Sequence, residues 1–273
     1  MMHFAIFESG SKGNCFLLKD EHTSILIDCG GTKRCILDSL AATNTTMEDI
    51  DAVLITHDHT DHIARIALVA DRTIYSPVSI KGISTIPVVP GESFSVEHLT
   101  ITPIALSHDA EHTTGYIIKS FQETLVYVTD TGYIRDAYLP LMKGADYIVL
   151  ESNHDVEMLM KTSRPMFLKM RIAGDNGHLC NEDCAAILKK IVTSNTKMII
   201  LAHISEQANT RERALEVSGN MLEHHPDRRN GLILCSAAQN ELIKGGDWPN
   251  EKVDGGSCSR IFTVERMAHT ASL

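Results

Sequence analysis

Short apolar segments alternate with longer amphipathic ones along most of the chain. The first three apolar segments, at residues 4–7, 15–19 and 24–28, are strand-sized and are separated by the polar turn sequences ESGSKGN and DEHT. This pattern predicts that the chain opens with antiparallel strands. A helical pattern at residues 34–42 and a further strand at residues 51–56 complete this first group of elements.

The sequence THDHTDH begins at the end of that fourth strand and places three histidines and two aspartates within residues 56–62. From residue 62 onwards the apolar positions recur with a helical period as far as Ala70. The pattern therefore predicts a strand, a polar loop and then a helix.

The remaining chain has the same organisation, although no repeat is visible in the sequence itself. Strands are predicted at residues 92–96, 99–106, 115–119, 124–129, 146–151 and 197–202, and helices at residues 135–142, 154–162, 165–173, 181–192 and 210–222. Two sets of strands, each followed by helices, predict an α/β fold with four layers in the order αββα. The domain is predicted to span residues 1–240, with residues 241–273 as a loosely packed C-terminal extension of weak periodicity.

Composition narrows the class of protein. A chain of 273 residues with 43% hydrophobic residues can bury a core as one large domain or two smaller ones. Its net charge of -10 argues against a broad basic surface that grips duplex DNA, although a small local phosphate site remains compatible. The seven cysteines are scattered and lie mostly in apolar runs, so we expect reduced core thiols and no disulfide framework.

Nothing in the sequence indicates a membrane segment. Residue 1 is not followed by a basic stretch and a long apolar core, and no apolar run approaches the roughly 18 residues that cross a bilayer. We therefore expect a soluble, cytoplasmic protein with no membrane partner.

The polar loop after the fourth strand has the composition of a metal site. His57, His59, Asp61 and His62 lie at different angles along the loop and the start of the helix, so their side chains can converge on one point. Imidazole and carboxylate groups are ligands of Zn, Mn and Fe. The alternative is a solvated polar loop, which such a density of ligand types disfavours.

A pair of metal ions needs more ligands than one loop supplies. Four further residues, each at the end of an apolar strand, supply the same chemistry: Asp28, His108, Asp130 and His203. A sheet delivers residues at strand ends to one edge, so these side chains are expected to lie together with the loop.

This set of residues resembles the HxHxDH and strand-end motifs of the metallo-β-lactamase fold family. The resemblance implies the four-layer αββα metallo-β-lactamase sandwich and two divalent metal ions per chain, Zn, Mn or Fe, with Zn or Mn favoured. It implies the following ligands: His57, His59 and His108 for one ion, Asp61, His62 and His203 for the other, and Asp130 between them. Asp28 would orient a ligand histidine by a hydrogen bond.

Four further stretches resemble a narrower group within that family. The sequences SGSKGNC, ESNHD, GHLCNED and LAHISEQANT are similar to those of small single-domain bacterial hydrolases of the YycJ/VicX (WalJ) type. This resemblance implies a DNA-directed nuclease with 5′-to-3′ exonuclease activity. The expected partner is a nucleic acid end, with single-stranded DNA favoured, and nothing in the sequence indicates a protein partner.

Two residues are candidates for catalysis. Asp61 is placed to orient or deprotonate a nucleophilic water shared by two metal ions about 3.5 to 4 Å apart. His178 lies in the glycine-containing loop AGDNGHLCN and could protonate a leaving alkoxide or bind a phosphate oxygen. For His178 the alternative is a surface loop histidine, and the GHLCN motif favours the functional role.

Five residues are candidates for binding substrate. Ser11, Lys12 and Asn14 lie in SGSKGN, which could hold an anion with its backbone amides or could be a tight turn between two strands. Asn153 and His154 end a strand on the expected active edge, and Asn153 could instead cap a helix. We expect Asn181 to cap the helix that follows it.

Three classes of function remain possible at this point. The first is a dinuclear metal phosphodiesterase that acts on nucleic acid. The second is a small-ester or thioester hydrolase of the glyoxalase II kind, for which a basic helical substrate domain would be expected, and none is evident after His203. The third is a metal-stabilised regulatory module, which would be expected to have lost ligands, whereas every expected ligand is present. The hydrolase hypotheses are therefore favoured, with the phosphodiesterase first.

Overall fold

Two β-sheets pack face to face in the computed structural model of the protein, which describes residues 1–248 and the short strand at residues 262–263. The strands are β1 His3–Glu8, β2 Cys15–Lys19, β3 Ser24–Ile27, β4 Ala52–Leu54, β5 Thr73–Ser76, β6 Ile86–Pro87, β7 Phe94–Val96, β8 Leu99–Leu106, β9 Thr113–Lys119, β10 Thr124–Val128, β11 Tyr147–Glu151, β12 Met198–Ala202, β13 Ile233–Ser236, β14 Ile243–Gly246 and β15 Phe262–Thr263. The first sheet has the order β14-β1-β2-β3-β4-β5-β6, and the second β15-β13-β12-β11-β10-β9-β8-β7.

Helices cover the outer faces of both sheets. They are α1 Lys33–Ala42, α2 Thr60–Ile63, α3 Leu139–Met142, α4 Val156–Lys161, α5 Met166–Ile172, α6 Asn181–Ile191 and α7 Arg211–Glu223, with 3₁₀ turns at Met47–Asp49, Ile66–Val69 and Asp136–Tyr138. Helix α1 packs on the first sheet, whereas α3, α6 and α7 pack on the second.

Three apolar cores separate the four layers. Because side chains alternate between the two faces of a strand, Phe4 and Ile6 of β1 enter the core between the sheets while Phe7 enters the core beneath α1. The second sheet divides its residues in the same way, with Val149 in the central core and Ile148 in the core beneath α6. The predicted four-layer αββα sandwich is confirmed.

The parallel strands of each sheet end at the same edge. Strands β3 to β6 are parallel in the first sheet, and β10 to β13 are parallel in the second. The residues just beyond three of these strands, Asp28, Asp130 and His203, have φ angles of 59°, 58° and 53°. Positive φ is uncommon for residues other than glycine and recurs at functional sites, so this edge of the sandwich is where a site is expected.

Several elements differ from the sequence predictions. The helix predicted from His62 is a single turn, α2, followed by the 3₁₀ turn, and strands β5, β6 and β13 were not predicted. Helix α6 is capped by Cys180, whose sulfur accepts a hydrogen bond from the amide of Asp183, and not by Asn181, which is its first residue.

The division at residue 240 stays a prediction, because residues 249–261 and 264–273 lie outside the described part of the chain. Within the described residues, β14 pairs antiparallel with β1 and so forms part of the first sheet. The two glycines of β14 conceal the strand pattern in the sequence. The six described cysteines are free thiols.

None of the helices in the described part of the chain has the length and apolar composition needed to cross a membrane.

Candidate metal centre

The loop after β4 lies at the edge of the sandwich where the parallel strands end. His57 is fully buried, whereas His59, the residue that precedes α2, has 38% of its side chain exposed. The imidazole rings of His57, His59 and His108 lie 4.5 to 5.2 Å apart between centroids. The loop and the end of β8 therefore meet, as the sequence pattern predicts.

Most of the histidines at this edge share one arrangement of their two ring nitrogens. In each case Nδ1 is held by a neighbour: His57 by the Thr56 hydroxyl at 3.0 Å, His62 by Asp28 at 2.7 Å, His108 by the Gly177 carbonyl at 3.1 Å and His203 by Glu151 at 2.7 Å. Such contacts fix the orientation of a ligand histidine and leave Nε2 for a metal ion.

Two of the Nε2 atoms test whether a metal ion fits. Nε2 of His57 and Nε2 of His203 are buried and have no hydrogen-bond partner among residues 1–248. A buried polar atom without a partner is costly, so these atoms fit a site that is completed by a cation.

Three overlapping groups of donor atoms lie at the site, each within 4.8 Å. They are His57, His59 and His108; His57, His62 and Asp130; and Asp130, Glu151, His178 and His203. The groups are linked by His57 and Asp130, an arrangement compatible with two cations side by side. Asp61 lies next to them, with Oδ2 3.4 Å from Nε2 of His62.

Asp28 is fully buried behind the histidines. Its carboxylate accepts hydrogen bonds from the Thr56 amide and hydroxyl, both at 2.9 Å, and lies 2.7 Å from Nδ1 of His62. It therefore contacts a candidate ligand and holds the start of the loop.

Buried charges of opposite sign set the protonation of the site. Burial raises the pKa of Asp130, but His203 and His62 outweigh it and hold that pKa well below its usual range. Burial lowers the pKa of His203, but Asp130 and Glu151 overcome this effect and raise it to about 9. A cation bound here would displace such protons.

Glu151, at the end of β11, was not predicted as a site residue. Its buried carboxylate lies 2.8 Å from Nδ1 of His178 and 2.7 Å from Nδ1 of His203, and it accepts backbone hydrogen bonds from Thr131 and Leu179. Burial raises its pKa, but the two histidines lower it to about 2. The ESNHD motif contained the signal, since it places an acid at the end of an apolar strand.

Asp109 was also missed. Its Oδ1 lies 3.1 Å from Nε2 of His108 and 3.6 Å from Nε2 of His59, and its Oδ2 lies 3.0 Å from Arg171 of α5. The carboxylate thus links α5 to the candidate ligands. Its place directly after His108 was the available signal.

His178 is held close to the cluster by a tight loop. Its amide donates to the Ile172 carbonyl at 2.9 Å, and a Cβ at Gly177 would come within 2.1 Å of that same oxygen. With Nδ1 held by Glu151, Nε2 is the remaining nitrogen, and the ring lines a cavity of about 370 Å³ together with His203. His178 is 16% exposed, so it is not a free surface histidine.

The predicted substrate-binding residues lie in two different environments. Ser11 is exposed and lines the cavity with Asn153, whose side-chain amide donates to the His203 carbonyl at 2.8 Å. Lys12 is exposed and forms an ion pair with Glu206 at 2.6 Å.

The burial of Asn14 and His154 does not agree with direct contact to a substrate, because these residues are only 0% and 1% exposed. The Asn14 side chain instead contacts Gly10, Oδ2 of Asp61 at 3.1 Å and Nε2 of His62 at 3.0 Å. It therefore joins the SGSKGN loop to two candidate ligands at the start of α2.

An αββα sandwich with clustered histidines and carboxylates at the ends of its parallel strands defines a metal-dependent hydrolase of the metallo-β-lactamase class. The beta-lactamase superfamily domain model matches residues 23–204. The chain belongs to this superfamily and, within it, to the YycJ/WalJ group.

Curated relatives and a solved structure agree with this assignment. The chain is 33% identical over 236 residues to the exodeoxyribonuclease YycJ of Bacillus anthracis. The aligned region covers 81% of this chain and 89% of the relative. The chain is also 33% identical over 235 residues to the exodeoxyribonuclease WalJ of Streptococcus pneumoniae serotype 2, covering 80% and 87%. The crystal structure of the metallo-beta-lactamase fold protein YhfI of Bacillus subtilis superposes with a TM-score of 0.66 at 18% identity, covering 89% of this chain and 99% of that one.

Asp130→Asn is expected to lower metal content more than Asp28→Asn does. Asp130 joins two of the donor groups, and a neutral amide is a poor bridge between cations, whereas an amide at position 28 can still accept one hydrogen bond. Loss of a hydrogen-bonding partner of a ligand typically costs about 10- to 100-fold in metal affinity. Calorimetric metal titration measures the order, and Asp136→Asn, at an exposed residue, is the control. The reverse order would exchange the roles of the two aspartates.

Proposed function

We propose that the protein is a dinuclear metal-dependent phosphodiesterase that degrades DNA from an end, with 5′-to-3′ polarity and single-stranded DNA as its preferred substrate. The observation that carries this proposal is the overlap of the donor groups beside a cavity that also contains His178. The relatives YycJ and WalJ, which are named exodeoxyribonucleases, support the choice of substrate.

We propose that His57, His59 and His108 hold one cation, that Asp61, His62 and His203 hold the other, and that Asp130 contacts both. Such a pair of cations would supply a bound hydroxide near neutral pH and would neutralise charge on the phosphodiester. Zn or Mn is favoured, because imidazole and carboxylate donors suit both.

The chain's own residues orient the reactants. Asp61 accepts a hydrogen bond from the Asn14 amide, which holds its carboxylate beside His62 and leaves it 24% exposed towards the solvent. From there Asp61 orients the attacking water and accepts its proton. Glu151 fixes His178 through Nδ1, so that Nε2 is available to give a proton to the leaving alkoxide or to bind a phosphate oxygen.

Positively charged side chains that line the cavity favour a polyanionic substrate. Arg164 and Arg171 line the cavity together with His178, although the chain as a whole carries a net charge of -10. Because the positive charge is local, it suits one flexible strand better than the broad surface of a duplex.

Metal analysis of the purified protein, followed by digestion of end-labelled DNA and RNA, tests the proposal. We expect two divalent ions per chain and progressive shortening of single-stranded DNA, with products released from a 5′ end. Blocking that end with a bulky group should stop degradation, while the same group at the 3′ end should not. Two metal ions per chain without phosphodiester cleavage would instead support the small-ester or thioester hydrolase.

A further inference from the structure

Helices α4 and α5 expose a group of large apolar side chains beside the cavity. Met166, Phe167 and Met170 of α5 are 62%, 75% and 58% exposed, and Val156 and Met160 of α4 are 45% and 36% exposed. Residues three and four apart lie on one face of a helix, so Met170 shares a face with Met166 and with Phe167. We call these five residues the α4–α5 apolar face.

The same segment is basic in an otherwise acidic chain. Residues 156–172 carry four cations, Lys161, Arg164, Lys169 and Arg171, and one anion, Glu157, which is a net charge of +3. Lys161 pairs with Glu157, and the Nζ of Lys169 donates a hydrogen bond to the Met160 carbonyl at 2.7 Å. Arg164 and Arg171 both line the cavity, where Arg171 pairs with Asp109 at 3.0 Å and Arg164 donates to the neutral Gln207 side chain at 3.1 Å.

The opposite side of α5 is anchored in the body of the protein. Leu168 and Ile172 pack with Leu159 and Ala208 in a small separate core. Leu168 and Ile172 also line the cavity that contains His178 and His203. Arg171 also lines the cavity and lies four residues after Phe167 on α5, so it joins the cavity to the edge of the apolar face.

We propose that the α4–α5 apolar face is a stacking platform for the bases of a single-stranded nucleic acid whose scissile phosphodiester lies in the cavity. This inference rests on the proposed phosphodiesterase function and adds a binding site to it. Phe167 offers an aromatic ring to a base, and the polarisable thioethers of Met166 and Met170 adapt to any base next to it. Arg164 and Arg171 face the phosphates that join those bases.

The charge of the segment favours this ligand over a second copy of the chain. A second copy carries the same net charge of -10 and presents the same basic segment, whereas a single strand offers both exposed bases and a continuous row of phosphates. Stacking tolerates any sequence, because every base has a π-face. The platform would therefore bind without marked sequence preference.

Phe167→Ala tests the platform, with binding of a short phosphorothioate oligothymidylate measured by fluorescence anisotropy. Removing one base-stacking ring should weaken binding roughly 5- to 100-fold. An abasic strand of the same length keeps the phosphates and lacks the bases, so the effect of the substitution should nearly vanish with it. Phe121→Ala is the matched control, because Phe121 is 98% exposed in the turn between β9 and β10.

Three results would overturn the platform. They are unchanged binding by Phe167→Ala, an equal loss on the normal and abasic strands, and a dimer of the parent protein that Phe167→Ala dissociates, as measured by sedimentation. The proposed function fails on a different result, which is the absence of any cleavage of an unmodified strand by the parent protein.

Discussion

His59→Ala and Asp61→Ala are each expected to abolish hydrolysis while leaving the fold intact. His59 belongs to the donor group with His57 and His108, and Asp61 is the acid nearest to His62 that is open to solvent. His59 caps α2 and Asp61 lies in its first turn, beyond the end of β4, and neither residue contributes to the apolar cores. Removing a single group that orients and deprotonates the attacking water typically lowers the rate by about 10²- to 10⁴-fold.

Each variant has a matched control in the chain. Asp58 is an exposed carboxylate of the same loop, and His22 is an exposed histidine in the turn before β3, at the opposite end of that strand from Asp28. Turnover, metal content by mass spectrometry and thermal unfolding should be measured for all four alanine variants. Near-parental turnover by His59→Ala or Asp61→Ala in metal-depleted buffer would exclude the dinuclear mechanism.

His178→Ala is expected to reduce cleavage of DNA by about 10²- to 10⁴-fold, the typical contribution of one acid–base group. Its metal content should equal that of the parent, since Glu151 and His203 remain paired. If His178 protonates the leaving alkoxide, the loss should shrink for a nitrophenyl phosphodiester, whose leaving group needs no proton. An equal loss on both substrates would indicate that His178 positions the phosphate.

Glu151→Gln separates orientation of His178 from proton transfer by it. The amide keeps the size of the side chain but removes the buried charge that His178 and His203 both contact. We expect a loss of rate together with weaker metal binding, a combination that His178→Ala should not produce. His224→Ala, at an exposed histidine that follows α7, is the control for both variants. Parental cleavage of DNA by His178→Ala would make the loop purely structural.

The sequence reveals the candidate ligands because they lie just beyond the ends of apolar strands or in the HDHTDH segment that follows one of them. His57, His108, Asp130 and His203 all follow such a strand, and parallel strands bring their ends to one edge. Glu151 was missed for a physical reason: it is the last residue of β11, and its partners lie 27 and 52 residues further along the chain. Only the fold, which brings the loop between α5 and α6 and the end of β12 to the end of β11, shows which residues its charge contacts.

The sequence pattern failed to predict strand β14 because two of its four residues are glycines, which conceal the alternation of a strand. The burial of Asn14 was hidden likewise, because SGSKGN has the composition of an exposed turn. Its role depends on Asp61 and His62, which the first sheet brings to it.

The pairing of β14 with β1 bears on how the protein matures in the cell. His3 is opposite Gly246, and Gln239, just before β14, holds the SGSKGN loop through Lys12 and Gly13. Ribosomes add about 5 to 20 residues per second, so β14 is synthesised on the order of ten seconds or more after β1. The SGSKGN loop, whose Asn14 contacts Asp61 and His62, therefore reaches its final form only after residue 246 has been translated.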